Sequence, residues 1–280
     1  MFFAFSQQNH YAERPFFISL DHSACGVQSS ALSFLPESVF IRAASHGLLC
    51  CQSIFTHNPR YYICNPATKE WKKLPKPKFY HWQNSAAVAL NFHPSVFNFK
   101  ANFELVCAVA VPENHVVCFE IYSSRSGSWR ISGTECYEED ALKLKGDGFC
   151  LNGVAFWETC CGTILAFYLS DEEYDGLRID IHGGWDMSFK YRISLDSSTP
   201  SQTNGELRVL PCVNGEVVMV ISKRGFLGAY KVKDRKMKLS GISYGHDNSI
   251  TSDEYVKCLP YVNSLVSVGS QIVESQDFYH

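Results

Sequence analysis

Residues 47–75, GLLCCQSIFTHNPRYYICNPATKEWKKLP, decide the fold. Leu48, Leu49 and Cys50 form a short apolar run, and His57, Asn58 and Pro59 are turn residues. Tyr61, Tyr62 and Ile63 are the aromatic and β-branched types that suit a pleated, half-buried strand. In Asn65-Pro66-Ala67-Thr68 the Asn side chain can bond its own backbone and the Pro presets φ, which makes a tight turn. Trp71 follows with room to fold back on the sheet. The stretch predicts two antiparallel strands, a turn and a returning segment that carries a large aromatic.

The same pattern recurs. Ile121-Tyr-Ser-Ser-Arg-Ser-Gly-Ser-Trp129 repeats the strand, the polar turn and the tryptophan of Ile63-Cys-Asn-Pro-Ala-Thr-Lys-Glu-Trp71 at the same offset. A weaker copy, from Ala229 to Leu239, keeps the strand and turn but has Met237 or Leu239 in the aromatic place. Trp71 and Trp129 lie 58 positions apart, longer than a propeller repeat of roughly 40 to 50 residues, so an extra loop is expected between Lys76 and Lys100. Residues 103–111 and 115–122 read as a hairpin joined at Pro112-Glu113-Asn114, and residues 148–157 and 162–169 as another. Residues 207–211, 216–222 and 226–231 continue the strand pattern, and no stretch has the caps and periodicity of an amphipathic helix. The fold class is all-β, a propeller-like ring of four-stranded antiparallel blades.

Composition agrees and narrows the function. Hydrophobic residues are 46% and charged residues 19% of the 280, the balance of a folded, sheet-rich chain. A net charge of -3 is unhelpful for binding a phosphate backbone, so nucleic acid is not an expected partner. Twelve cysteines are spread along the chain without a basic, apolar leader ahead of them; Cys50, Cys64, Cys107 and Cys118 fall in apolar runs where a reduced thiol acts as a small hydrophobe. A reducing compartment, cytoplasm or nucleus, is expected. The longest apolar run near Leu105 stops at Pro112, too short to span a bilayer, so no membrane is expected either.

Taken together, these blocks resemble the F-box-associated, Kelch-like domain of plant F-box proteins, in which a GLL strand precedes an NP-T-W-LP block. Leu151-Asn152-Gly153-Val154 with Phe156-Trp157 resembles that family's LNG-YW strand, residues 261–268 resemble its closing strand, and Phe34-Leu35-Pro36 and residues 41–48 follow its spacing. The resemblance implies a propeller domain over residues 16–270, an N-terminal tail (1–15) with no recognisable F-box, and a C-terminal tail (271–280). It implies the substrate-recognition part of an SCF-type E3 ubiquitin ligase subunit, acting in ubiquitin-dependent protein degradation. Such a part binds a protein target, meets a Skp-type adaptor only when an F-box is supplied, needs no cofactor and leaves the chemistry to other subunits. The rivals are a stand-alone interaction scaffold or truncated non-ligase product, and a propeller glycosidase with carboxylates at its channel.

No catalytic or metal constellation emerges: the chain has no G-x-S-x-G, Walker glycine loop, H-E-x-x-H or paired C-x-x-C, and Cys50-Cys51 and Cys160-Cys161 read as structural thiols. The acidic run Asp171, Glu172, Glu173 and Asp175 reads as a solvated loop. Asn65, Pro66, Trp71, Trp129 and Trp157 form the structural blade motif, with Trp71 expected between its own sheet and an adjacent one. Aromatic residues outside the repeats, Tyr80, His81 and Trp82 on one loop and Trp185 on another, are the candidate partner-binding residues.

Overall fold

The computed structural model describes residues 2–6, 16–18, 32–54, 59–81, 85–92, 94, 101–144, 146–161, 163–178, 207–210, 217–222, 226–231, 236–241, 256–261 and 264–269. Near the start, β1 (Phe2–Ser6) and β2 (Phe16–Ile18) pair antiparallel, so part of the expected N-terminal tail is a strand. The larger compact unit, Ala31–Ile179 with Val262–His280, holds three four-stranded antiparallel blades. Blade one is β3 (Val39–Ser45), β4 (Leu48–Ser53), β5 (Tyr61–Asn65) and β6 (Glu70–Lys73), in that order. Blade two is β7 (Ala86–Phe92), β8 (Phe103–Val111), β9 (Val116–Ser123) and β10 (Ser128–Cys136). Blade three is β11 (Phe149–Leu151), β12 (Val154–Glu158), β13 (Thr163–Tyr168) and β14 (Glu173–Arg178). Their first strands β3, β7 and β11 come together, so within this unit the blades fan outward from one side.

The smaller unit, Met1–Ser30 with Asp180–Tyr261, contains a fourth four-stranded sheet: β15 (Leu207–Leu210), β16 (Val217–Ser222), β17 (Phe226–Lys231) and β18 (Lys236–Gly241). Its second sheet has three strands in the order β19 (Val256–Pro260), β1, β2. The closing strand expected over residues 261–268 is corrected by this arrangement, because among the described residues the last regular strand is β19. Residues 264–269 instead form an extended clasp in the larger unit, where Ser267 accepts the Ala101 amide at 2.8 Å.

One hairpin geometry is repeated in all four blades. The third and fourth strands are joined by four-residue loops, between the pairs Asn65↔Glu70, Ser123↔Ser128, Tyr168↔Glu173 and Lys231↔Lys236. In the three loops of the larger unit the last residue has positive φ: Lys69 at 58°, Gly127 at 68° and Glu172 at 58°. Opposite the penultimate residue of each third strand stands Trp71, Trp129, Tyr174 or Met237. Of the two aromatic places offered by the sequence of the last copy, Met237 is the one. The Phe167–Tyr174 copy escaped the sequence reading altogether.

Packing explains two further departures. The strands β7, β8 and β9 of blade two are buried on both faces, with Val88, Leu90, Leu105 and Tyr122, joined by Trp129 of β10, turned to blade one and Ala87, Ala89, Val106, Phe119 and Ile121 turned to blade three. A strand with no wet face shows no alternation, so β7, AAVALNF, lay hidden where an extra loop was expected. Residues 148–157 are not one strand but the β11–β12 hairpin, turned by Asn152 at φ 51° and Gly153 at φ 78°. Trp129 and Trp157 are core residues at 5% and 1% exposure. Trp71, by contrast, is only half-buried, with its ring edge-on to Tyr62 on the face of blade one turned away from blade two. Cys160 and Cys161, read as buried or half-buried thiols, are exposed in the β12–β13 turn.

Asn65 does more than shape its turn. Its Oδ1 accepts from the Ala67 amide at 3.0 Å, the expected local bond, and its Nδ2 donates to the carbonyls of Ser264 and Val266, each at 2.8 Å. Glu70 adds a bond from the Val268 amide at 2.9 Å. The turn of blade one therefore holds the clasp through side chains, leaving fully buried Asn65 satisfied. Among the described residues no helix is long and apolar enough to cross a membrane.

Candidate partner-binding face and the polar network beneath it

The connection from β6 to β7 crosses from blade one to blade two as an irregular segment that bends at Lys78 and Phe79, where two successive amides turn to the same side. Burial alternates along it: Pro77 and His81 are buried and Phe79 half-buried, while Lys76, Lys78 and Tyr80 are exposed, Tyr80 by 49%. Four bonds pin the segment. Trp129 Nε1 donates to Pro75 O at 2.7 Å, the amides of Lys78 and Phe79 donate to the Glu120 carboxylate at 2.6 and 3.0 Å, and Gln52 Nε2 donates to His81 O at 3.3 Å. Pro59, Lys76, Pro77, Phe79, Tyr80 and His81 line a shallow surface depression there.

His81 corrects the sequence reading. Expected on a partner-facing loop, it is 1% exposed, because the inward step of the alternation places its ring between Tyr61 and Trp129, edge-on to both at 5.7 Å. Tyr80 is at the surface as expected, while Trp82 and Trp185 lie outside the described residues.

Beneath the segment runs a chain of buried polar groups. A β-bulge between Ile41 and Ala43 removes Arg42 from the β3 ladder, the device by which sheets re-aim a side chain. Its guanidinium donates to both Asp147 oxygens at 2.7 to 3.0 Å, to Ala86 O at 2.5 Å, and to Gln52 Oε1. Gln52 Nε2 is 3.4 Å from Tyr61 Oη, Tyr61 Oη is 3.1 Å from His81 Nδ1, and His81 Nε2 is 3.0 Å from Glu120 Oε2. A carboxylate only accepts, so Nε2–H donates to Glu120, and Nδ1 faces the Tyr61 hydroxyl. Asp147 also takes the Val88 amide at 2.9 Å. The next residue, Gly148, packs so closely that an added Cβ would sit 2.1 Å from Phe156 O.

The charges follow from these contacts. Burial works against the Arg42 guanidinium, and Asp147 more than offsets it, so the group stays charged. Burial pushes the Tyr61 phenol well up. Burial would also raise Glu120, but the bonds from His81 and the amides of Lys78 and Phe79 outweigh it and hold the carboxyl below its ordinary value near 4.5. A depressed folded value stabilises above the ordinary value and is lost as pH falls through the folded one. Below about pH 4.5 the stability advantage of the wild type over Glu120→Gln is therefore expected to shrink, read from urea midpoints across the acid range. A difference that stays constant down to unfolding would remove Glu120 as the titrating group.

Only local signals of this network were available in advance. The alternation over residues 76–81 could have placed His81 inside, whereas nothing in the sequence near Arg42 points to Asp147, 105 residues away.

Blades of four antiparallel strands, each linked from its outer strand to the inner strand of the next, define a β-propeller-type protein. The chain belongs to the family described as F-box protein At3g26010-like, beta-propeller, whose family model matches residues 20–220. It is similar to F-box protein At5g49610 of Arabidopsis thaliana, 35% identical over 117 residues, 38% of this chain and 31% of that protein. F-box protein At5g03970 of Arabidopsis thaliana is 27% identical over 163 residues, 58% of this chain and 37% of that protein. The chain thus spans about a third of the length of the curated relatives it matches. Among solved structures, the Malassezia sympodialis allergen Mala s 1 overlaps 74% of this chain and 79% of its own at a TM-score of 0.42 and 10% identity.

Proposed function

We propose that this domain binds a protein target and serves as the substrate-recognition part of an SCF-type ubiquitin ligase subunit, without catalysis of its own. The family membership over residues 20–220 is the observation that carries this reading. The geometry supports it. The His81–Glu120 pair would be the natural acid–base couple, but the two side chains are fully buried and bonded to Tyr61 and two backbone amides, so no substrate atom comes within proton-transfer reach. The outward row of the β6–β7 segment, by contrast, is exposed on a backbone held by four hydrogen bonds. Ubiquitin transfer belongs to other subunits, in cytoplasm or nucleus, and the Skp-type adaptor is met through an F-box.

Affinity capture from plant tissue with and without proteasome inhibition tests the reading. Proteins held by the domain are expected to accumulate when the proteasome is blocked and to turn over more slowly when the gene is silenced. Captured partners whose abundance and turnover respond to neither treatment would make the domain a scaffold instead.

A further inference from the structure

The protein is acidic overall, with a net charge of -3, yet residues 69–78 carry five lysines against one acid, Glu70. That acid is engaged by the Val268 amide. Lys69, Lys73, Lys76 and Lys78 are exposed and Lys72 is half-buried, and among the described residues none of their ammonium groups is ion-paired. An unpaired basic strip on an acidic protein is a local field that attracts the opposite charge. The strip also has a defined geometry. Lys76 and Lys78 stand two residues apart, both exposed, where the chain bends at Lys78 and Phe79. Tyr80 continues the row, and the depression between Pro59, Pro77 and Phe79 offers an apolar floor beside it.

We propose that the row Lys76, Lys78 and Tyr80 docks an extended segment of a partner protein that carries Asp or Glu at alternate positions. The inference rests on the protein-binding reading above and gives it a partner chemistry. Carboxylates at alternate positions of an extended peptide present two negative charges on one side, to meet the two exposed lysines that stand two residues apart. The segment itself loses little entropy on binding, because Trp129, Glu120 and Gln52 already hold its backbone. A nucleic acid is the poorer fit: phosphate tracking demands basic groups along a long groove, and Glu37 ties up nearby Arg60.

The test is fluorescence anisotropy of the 280-residue chain with a short labelled peptide alternating Glu and Thr, its Gln/Thr counterpart, and a labelled single-stranded oligonucleotide. The Glu peptide is expected to bind, and to weaken as salt rises from about 0.05 to 0.3 M because exposed pairs are screened. K76E/K78E is expected to lose about tenfold or more in affinity, while K76R/K78R, which keeps the charge, stays within about threefold. R125E/K143E changes net charge equally at exposed positions elsewhere and is expected to stay within about twofold. Equal loss in R125E/K143E, equal binding of the Gln peptide, or no binding of any peptide overturns the proposal. Tighter binding of the oligonucleotide through the same lysines overturns it in favour of a nucleic-acid patch. If K76E/K78E keeps its circular dichroism and still captures the proteasome-sensitive partners, the docking site is wrong and the protein-binding reading stands.

Discussion

Trp129→Ala is expected to lose roughly 3 to 5 kcal/mol of stability, the range for truncating a fully buried large aromatic, whereas Trp71→Ala is expected to lose only about 1 to 2 kcal/mol. The two residues stand at the same offset in the same repeat, so sequence alone assigns them one role. Packing separates them. The Trp129 ring is 5% exposed, sits 5.4 Å from Tyr122, 5.9 Å from Tyr61 and 5.7 Å from His81, and donates to Pro75 O. It fills the seam between blades one and two and holds the start of the outward lysine row. Removing it opens a cavity among aromatics that cannot collapse onto it. Trp129→Phe keeps most of the ring and leaves Pro75 O without its donor, for an expected loss of about 1 to 2 kcal/mol. Chemical denaturation of the three variants checks the order; equal losses at Trp71 and Trp129 would mean that the half-exposed ring is as deeply packed as the buried one.

What the sequence revealed and what it hid divide along physical lines. The turn at Asn65-Pro66 and the block ending at Trp71 were legible because turn chemistry is local: the Asn65 Oδ1 bond to the Ala67 amide spans two residues. The second role of Asn65, holding the carbonyls of Ser264 and Val266, spans about 200 residues and left no local trace. β7 was illegible for a different reason, since a strand buried on both faces and rich in alanine carries neither alternation nor strong strand propensity. The Phe167–Tyr174 copy was missed because the acidic run at residues 171–175 read as loop; Asp171 and Glu172 belong to the turn, but Glu173 and Asp175 are on β14. His81 was misplaced because aromatic residues beside lysines suggest an exposed loop. The bonded segment instead turns His81 into the seam between Tyr61 and Trp129 and leaves its neighbour Tyr80 at the surface.

Arg42→Ala is expected to be comparably damaging, about 3 to 5 kcal/mol, the range for removing one partner of a buried ion pair. The loss comes less from the attraction than from what stays behind. Without the guanidinium, the Asp147 carboxylate loses its ion-pair partner at 8% side-chain exposure, while Gln52 Oε1 and Ala86 O lose their donor. Those groups belong to blade one, blade two and the entry to blade three, so the variant loosens all three blades of the larger unit at once. Arg42→Lys keeps the charge but not the fork that reaches Asp147, Ala86 and Gln52 together, and an intermediate loss is expected. Asp147→Ala alone strands the guanidinium and the Val88 amide. Because each single change removes one half of the same buried ion pair, the double variant Arg42→Ala/Asp147→Ala is expected to lose less than the sum of the singles, by about 1 to 3 kcal/mol of coupling. Urea denaturation of the four-member cycle measures that coupling, and strictly additive losses would mean that the two side chains do not act as a pair across the blades.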